Sequence, residues 1–335
     1  MKLLRVIGWV FFGFSGVVFA QNRPLVVAHR GASGYLPEHT LAAKAYAHAL
    51  GADFLEQDIV LTKDDVAVVL HDIYLDTITD VAKKFPDRRR ADGRYYVLDL
   101  TLAELKQLAV SERFHIKSGA AVYPRRFPAG DSGLSISTLE EELQFIQGMN
   151  RSTGRAAGIY PEIKQPQWHR AQGHDISRQV LMVLARNGYA TKADACFLQC
   201  FEIEELRRVR SELGWRGRSI FLLDGKAKGV GGEGSGLLTA AGLQELAAWV
   251  DGIGPSLGQI VAWPSPAGAA VVTDLVKQAH AAKLLVHPYT IRLDELPKNC
   301  PSIDALHTAL FNEAGIDGVF TDFTDLTLAW LRSKR

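Results

Sequence analysis

His29 and Arg30 stand at the end of a short apolar run, in Ala28-His29-Arg30-Gly31-Ala32-Ser33-Gly34. An imidazole transfers protons near neutral pH, and a guanidinium fork matches phosphate oxygens. Glu56 and Asp58 lie two apart in Phe54-Leu55-Glu56-Gln57-Asp58-Ile59-Val60, so a strand would carry both carboxylates on one face. In apolar surroundings the two repel, and both stay ionised only with a cation between them. The alternatives are one protonated acid or an ordinary ion pair. His71 ends the next apolar run, Val68-Val69-Leu70-His71-Asp72. Gly158-Ile159-Tyr160-Pro161-Glu162-Ile163-Lys164 adds a third acid with a lysine on the same face. Three carboxylates without a cysteine select Ca²⁺ or Mg²⁺ over zinc or copper. A hard cation, Arg30 and Lys164 for a phosphate, and two histidines for protons suit phosphoester cleavage.

Such residues must be held at strand ends. Apolar runs read as strands at Leu25–His29, Phe54–Leu61, Val66–His71, Gly158–Ile163, Cys196–Phe201, Ser219–Leu223, Gly252–Gly254, Leu284–His287 and Gly318–Thr321. Continuous Val, Ile, Leu and Phe suit strands covered on both faces. Amphipathic helices fall between them, most clearly Thr40–Leu50, Thr138–Gly148, Glu202–Leu213, Thr273–Ala282 and Ile303–Ala314. Alternating β and α at this length predicts an α/β protein with a parallel sheet, and the closed version is a (β/α)8 TIM barrel. An open doubly wound sheet fits the same pattern. Two stretches break the alternation. The Arg- and Asp-rich segment 73–134 is too long for an ordinary loop and reads as a small inserted subdomain after the third strand. The glycine-rich stretch 225–236 reads as a mobile loop.

The 335 residues are 47% apolar and 22% charged, which excludes disordered, collagen-like and multi-span membrane classes. Lys plus Arg is 38 against 37 for Asp plus Glu. No basic field exists for nucleic acid or an anionic membrane, so the expected partner is a small molecule. Residues 1–20 form a separate unit: a basic start with Lys2 and Arg5, an uncharged run from Val6, and Val18-Phe19-Ala20 before Gln21. That is the pattern of a secretory signal peptide, and the run is shorter than the ~20 apolar residues of a membrane span. The expectation is cleavage near Gln21, a barrel domain over 21–335, and residence in a periplasm without stable membrane insertion. Cys196 and Cys200 are four apart in a strand, too far to pair, and read as inert buried thiols.

Taken as a set, His29 through Thr40, Glu56-Gln57-Asp58, His71-Asp72 and Tyr160-Pro161-Glu162-Ile163-Lys164 resemble the glycerophosphodiester phosphodiesterase family, most closely its periplasmic bacterial branch. Leu198-Gln199-Cys200-Phe201, Asp251-Gly252-Ile253-Gly254-Pro255, Val286-His287-Pro288-Tyr289-Thr290 and Phe320-Thr321-Asp322-Phe323 extend the resemblance over nearly the whole chain. It implies a (β/α)8 barrel hydrolysing diesters such as glycerophosphocholine and glycerophosphoethanolamine to sn-glycerol 3-phosphate and an alcohol. It implies His29 and His71 as the acid/base pair and Glu56, Asp58 and Glu162 as ligands of Ca²⁺, with Mg²⁺ the second choice. Arg30 and Lys164 become phosphate contacts, and a glycerol hydroxyl becomes the nucleophile that forms a cyclic phosphate. His39 stands where the family often has Asn and is read as a variation without catalytic meaning. His287, at a strand end, is a candidate substrate contact at the rim, and Trp168 a candidate contact to the glycerol or alcohol. The rival readings are a phospholipase, which would need an apolar entry surface, and an exported binding protein, which would need no acid/base pair.

Overall fold

In the computed structural model the described residues are 23–223, 235–266 and 268–334. The leader-like residues 1–20 and nearly all of the glycine-rich stretch lie outside them. Eight parallel strands make the scaffold: β1 (Leu25–Ala28), β2 (Phe54–Leu61), β4 (Gly158–Ile163), β5 (Phe197–Cys200), β6 (Arg218–Leu222), β7 (Gly252–Gly254), β10 (Leu285–Val286) and β11 (Gly318–Thr321). They pair in the order β10-β7-β6-β5-β4-β2-β1-β11. The two ends of that order meet. Asp317 N–H donates to Val286 O at 3.1 Å, Phe320 N–H to Pro288 O at 3.0 Å and Ile291 N–H to Phe320 O at 2.9 Å. The sheet is therefore the closed barrel and not the open alternative, and every strand except the first residues of β1, β6 and β10 is buried, as the unbroken apolar runs require.

The helices around the barrel begin where the sequence supplies caps. Thr40 Oγ1 accepts from Ala43 N–H at the head of helix Leu41–Leu50, and Gly51 ends it at φ 107°. Thr138 and Glu141 form a reciprocal capping box on helix Leu139–Thr153. Inside the barrel Val27, Phe54, Tyr160, Phe197, Ile220 and Phe320 pack into a mostly aromatic plug. Gly158 makes room for it, because a Cβ there would lie 2.3 Å from the Phe54 ring.

One expected strand has a different place. β3 (Ala67–Val69) runs antiparallel to the far half of β2 and joins no other strand. The insertion thus begins earlier than its expected boundary and separates the second and third barrel strands. Residues Val60, Val68, Leu70, Leu75, Ile78, Leu100, Leu105 and Ile136 form a hydrophobic cluster of its own at its base. A segment that buries its own core packs as a unit on the barrel, which is why 73–134 shows no barrel periodicity. Two-residue strands β8 (Val261–Ala262) and β9 (Val271–Val272) form a small side hairpin.

Candidate active site

The carboxyl ends of β1, β2 and β4 bring the acidic and basic residues together. Glu56 and Asp58 share a face of β2, and the β2–β4 register sets Asp58 beside Glu162. One oxygen from each of these three buried acids lies within 4.8 Å of the others. Both oxygens of Glu56 are held: Arg30 N–H donates to Oε2 at 2.7 Å and Gln199 Nε2 to Oε1 at 3.1 Å. Lys164 Nζ sits 2.8 Å from Glu162 Oε1 and 3.6 Å from Asp58 Oδ1. Burial drives the Glu162 carboxyl well above the usual range; Lys164 opposes this and the nearby Asp58 charge adds to it. Burial would raise Asp58 as well, but Lys164, His71 and His39 together hold it well below the usual range. A cluster with one protonated and one ionised acid is how buried carboxylates relieve repulsion without a cation. Oxygen donors alone, buried and converging, fit a hard cation, and Glu56, Asp58 and Glu162 would hold it.

Each histidine is oriented by an aspartate. His29 Nδ1 is 2.6 Å from Asp322 Oδ1, and its Nε2 faces Glu56 Oε2 at 3.9 Å. His71 Nδ1 is 2.7 Å from Asp72 Oδ1. Burial, with Arg30 and Lys164 nearby, lowers His71 to about 4, so it is neutral at pH 7. A neutral ring that donates through Nδ1 presents a lone pair on Nε2. His29, Arg30, Glu56, Asp58, His71, Glu162 and Lys164 all line one cavity of about 150 Å³. The Arg30 Nε–H is buried there and makes no hydrogen bond, lying 3.6 Å from Asp58 Oδ2.

A larger cavity of about 440 Å³ lies at the opposite end of the barrel, among Arg23, Leu25, Phe54, Phe197, Arg218 and His287. It holds none of the seven residues above, so size does not mark the reactive end. His287 belongs there. Its Nδ1 meets Tyr160 Oη at 2.8 Å and its ring abuts Phe197, on the far side of the aromatic plug from the acids. The expected rim contact is thus corrected: His287 N–H still bonds Ile253 O at 3.0 Å, but the residue lies level with Gly318 at the start of β11, so its ring turns inward below the plug. Trp168 likewise stacks on Tyr96 of the insertion at 5.6 Å and does not line the reactive cavity.

A family model described as the glycerophosphoryl diester phosphodiesterase family matches residues 29–326. The chain belongs to this family. A glycerophosphodiester phosphodiesterase of Haemophilus influenzae is 43% identical over 330 residues, covering 93% of this chain and 91% of the relative. One from Treponema pallidum is 37% identical over 334 residues, with 94% of each covered. A crystal structure from Silicibacter pomeroyi superposes with a TM-score of 0.66 at 22% identity, covering 93% of this chain and 94% of the other. An Oleispira antarctica phosphodiesterase in complex with the product sn-glycerol-3-phosphate gives 0.61 at 21% identity, covering 92% and 97%. At these identities the two structures share the fold, here the parallel eight-stranded barrel of a phosphodiesterase.

Several residues of this family member escaped the sequence reading. His39, read as a variation without catalytic meaning, is buried with Nε2 2.7 Å from Asp58 Oδ2. Burial and the nearby Lys44 charge lower it to about 3, leaving the ring neutral. Lys44 Nζ, 3.5 Å from His39 Nδ1, can only donate, so Nδ1 accepts and the Nε2–H donates to Asp58. His39 therefore turns Asp58 toward the other acids. Asp322 and Gln199 stood inside motifs already singled out, but neither carries a local signal of the partner it meets. Arg292, which donates from Nε to Asp322 Oδ2 at 2.9 Å, had no signal at all.

Proposed function

We propose that the chain hydrolyses small glycerophosphodiesters, such as glycerophosphocholine and glycerophosphoethanolamine, to sn-glycerol 3-phosphate and the free alcohol. Ca²⁺ on Glu56, Asp58 and Glu162 is the cation we assign, with Mg²⁺ second, and an exported, periplasmic protein is the form in which it acts. The observation that carries the reading is the single cavity of about 150 Å³ lined by both histidines, the three acids, Arg30 and Lys164. An adjoining cavity of about 260 Å³ shares His71, Glu162 and Lys164 with it, and the two together suit a small polar substrate. The sn-glycerol-3-phosphate bound in the Oleispira antarctica structure supports the product.

Arg30 and Lys164, both lining the cavity, bind the phosphate oxygens. The cation, when bound, neutralises charge and polarises oxygen. His71, neutral and fixed by Asp72, accepts the proton of a glycerol hydroxyl as that oxygen forms a bond to phosphorus. The bond from phosphorus to the alcohol oxygen breaks, and His29, fixed by Asp322, delivers a proton to that oxygen. The cyclic phosphate that remains is opened by water with the two proton transfers reversed.

The test is release of sn-glycerol 3-phosphate from glycerophosphocholine by chelated protein, before and after addition of Ca²⁺, Mg²⁺ or Zn²⁺. The expected result is loss on chelation and recovery with Ca²⁺ ahead of the others. Full turnover after exhaustive chelation refutes the cation, and no turnover with any of them refutes the substrate.

A further inference from the structure

The insertion does more than cover one side of the barrel. It sends two arginines into the reactive end, and each grips the aspartate that orients one histidine. Arg113 Nη1 donates to Asp72 Oδ2 at 2.7 Å, while the other oxygen of Asp72 holds His71. Arg126 Nη2 donates to Asp322 Oδ2 at 2.8 Å, beside Arg292 Nε at 2.9 Å, while the other oxygen of Asp322 holds His29. Neither arginine lines the reactive cavity.

Both arginines are themselves pinned. Arg126 makes a fork with Asp294, 2.8 Å from Nε to Oδ2 and 2.9 Å from Nη2 to Oδ1, and its Nη1 reaches Ser33 O at 3.2 Å. Its guanidinium also stacks on Tyr123, 3.7 Å from the ring centre. Gly34 lets the neighbouring loop lie against this junction, because a Cβ there would sit 2.8 Å from Asp322 O. Arg113 bridges Asp72 to Glu38, at 2.6 Å from Nη2 to Oε1, and Glu38 in turn accepts from Arg30 Nη1 at 2.9 Å.

We propose that Arg113 and Arg126 are positioning residues for the reaction, locking the Asp72–His71 and Asp322–His29 pairs from the insertion side. The proposal rests on the reading of His29 and His71 as the proton-transfer pair. An aspartate with one oxygen on a histidine and the other free can swing about its Cα–Cβ axis. A charge-assisted bond to the second oxygen removes that freedom and keeps the ring in one orientation.

The test is a double-mutant cycle with glycerophosphocholine on the full chain. Arg126→Ala should lower kcat roughly 10-fold, the low end of the range for groups that orient a functional residue from behind, because Arg292 still donates to Asp322 Oδ2. KM should stay within about twofold, because no substrate contact is lost. In an Asp322→Ala background the same substitution should change kcat by less than about twofold, since the residue it acts through is gone. Arg113→Ala, which frees Asp72 Oδ2, should lower kcat roughly 10- to 100-fold and lose most of that effect in an Asp72→Ala background, while its KM should also rise because Glu38 ties Arg113 to Arg30. Arg126→Lys, which keeps a charge but not the fork, should fall between Arg126→Ala and the parent, and it serves where the alanine variant is poorly folded. Equal losses in both backgrounds, or a loss confined to KM, would overturn the proposal while His29→Ala stays inactive. An active His29→Ala would overturn the reading beneath it, and the proposal with it.

Discussion

Removing one charge from the buried pair behind the acids should unfold the protein more easily and do so in a pH-dependent way. Lys44 and Glu142 are both fully buried, 2.9 Å apart, with no exposed side-chain surface on either. Lys44 also donates to the backbone oxygen of Glu56 and approaches His39, while Glu142 accepts from Gln57 Nε2 at 2.9 Å. Lys44→Met leaves Glu142 buried without its cation, a loss of about 3–5 kcal/mol for a broken interior pair. At about 2 °C per kcal/mol for a domain of this size, Tm should fall roughly 6–10 °C at pH 7. The sign with pH follows from the carboxyl. Burial raises Glu142 above its ordinary 4.5 even with Lys44 beside it. The folded state therefore keeps a proton that the unfolded state releases, and stability is lost as pH rises from about 4.5 through the higher folded value. The Lys44→Met deficit should be small near pH 4.5 and grow toward pH 8. Lys44→Met with Glu142→Leu removes both charges and should recover most of the stability. Activity should stay low in that double variant, because His39 has lost the donor that fixes its tautomer toward Asp58. Thermal or urea unfolding at several pH values, beside a glycerophosphocholine assay, measures all of this. A Lys44→Met deficit that is flat from pH 4.5 to 8, or a double variant less stable than the single, would refute the reasoning.

His71→Ala should cost roughly 10²–10⁴-fold in kcat/KM, the range for a positioned acid/base group. Its Tm should be nearly that of the parent, because the ring is held at a strand end and not in the plug; near-parental turnover would remove His71 from the reaction. Protein recovered from an exporting host should have an intact mass beginning at or next to Gln21, and a full-length membrane-tethered product would defeat the export reading. Choline, ethanolamine, serine and glycerol diesters should differ by less than about tenfold in kcat/KM, equivalent to ~1.4 kcal/mol, if the grip is on glycerol and phosphate alone. Bis(p-nitrophenyl) phosphate, which has no glycerol hydroxyl, should be hydrolysed slowly; brisk release of nitrophenol would mean direct attack by water.

The sequence by itself determined what is local. Glu56 and Asp58 share a face because strand geometry repeats every two residues, and the short apolar runs around them suit strands covered on both faces. Thr40, Thr138 and Glu141 announce helix starts because caps act over three residues. The third expected strand shows the limit of that reasoning: Ala67–Val69 is a strand, but its sequence does not say that it runs antiparallel outside the barrel. Closure was likewise decided in three dimensions, by backbone bonds between segments 286–291 and 317–321. The parallel pairing of β1 with β11 is what sets Asp322 against His29, 293 positions earlier in the chain. The same holds for Arg113 and Arg126, whose charges look like solvent decoration until the insertion docks. His287 has the composition of a strand-end site residue, yet its level in the barrel, beside Gly318 at the start of β11, puts it on the other side of the aromatic plug. Periodicity reports which way a side chain faces along its own element. What it faces is fixed by elements far away in sequence, and those meet only when the barrel closes.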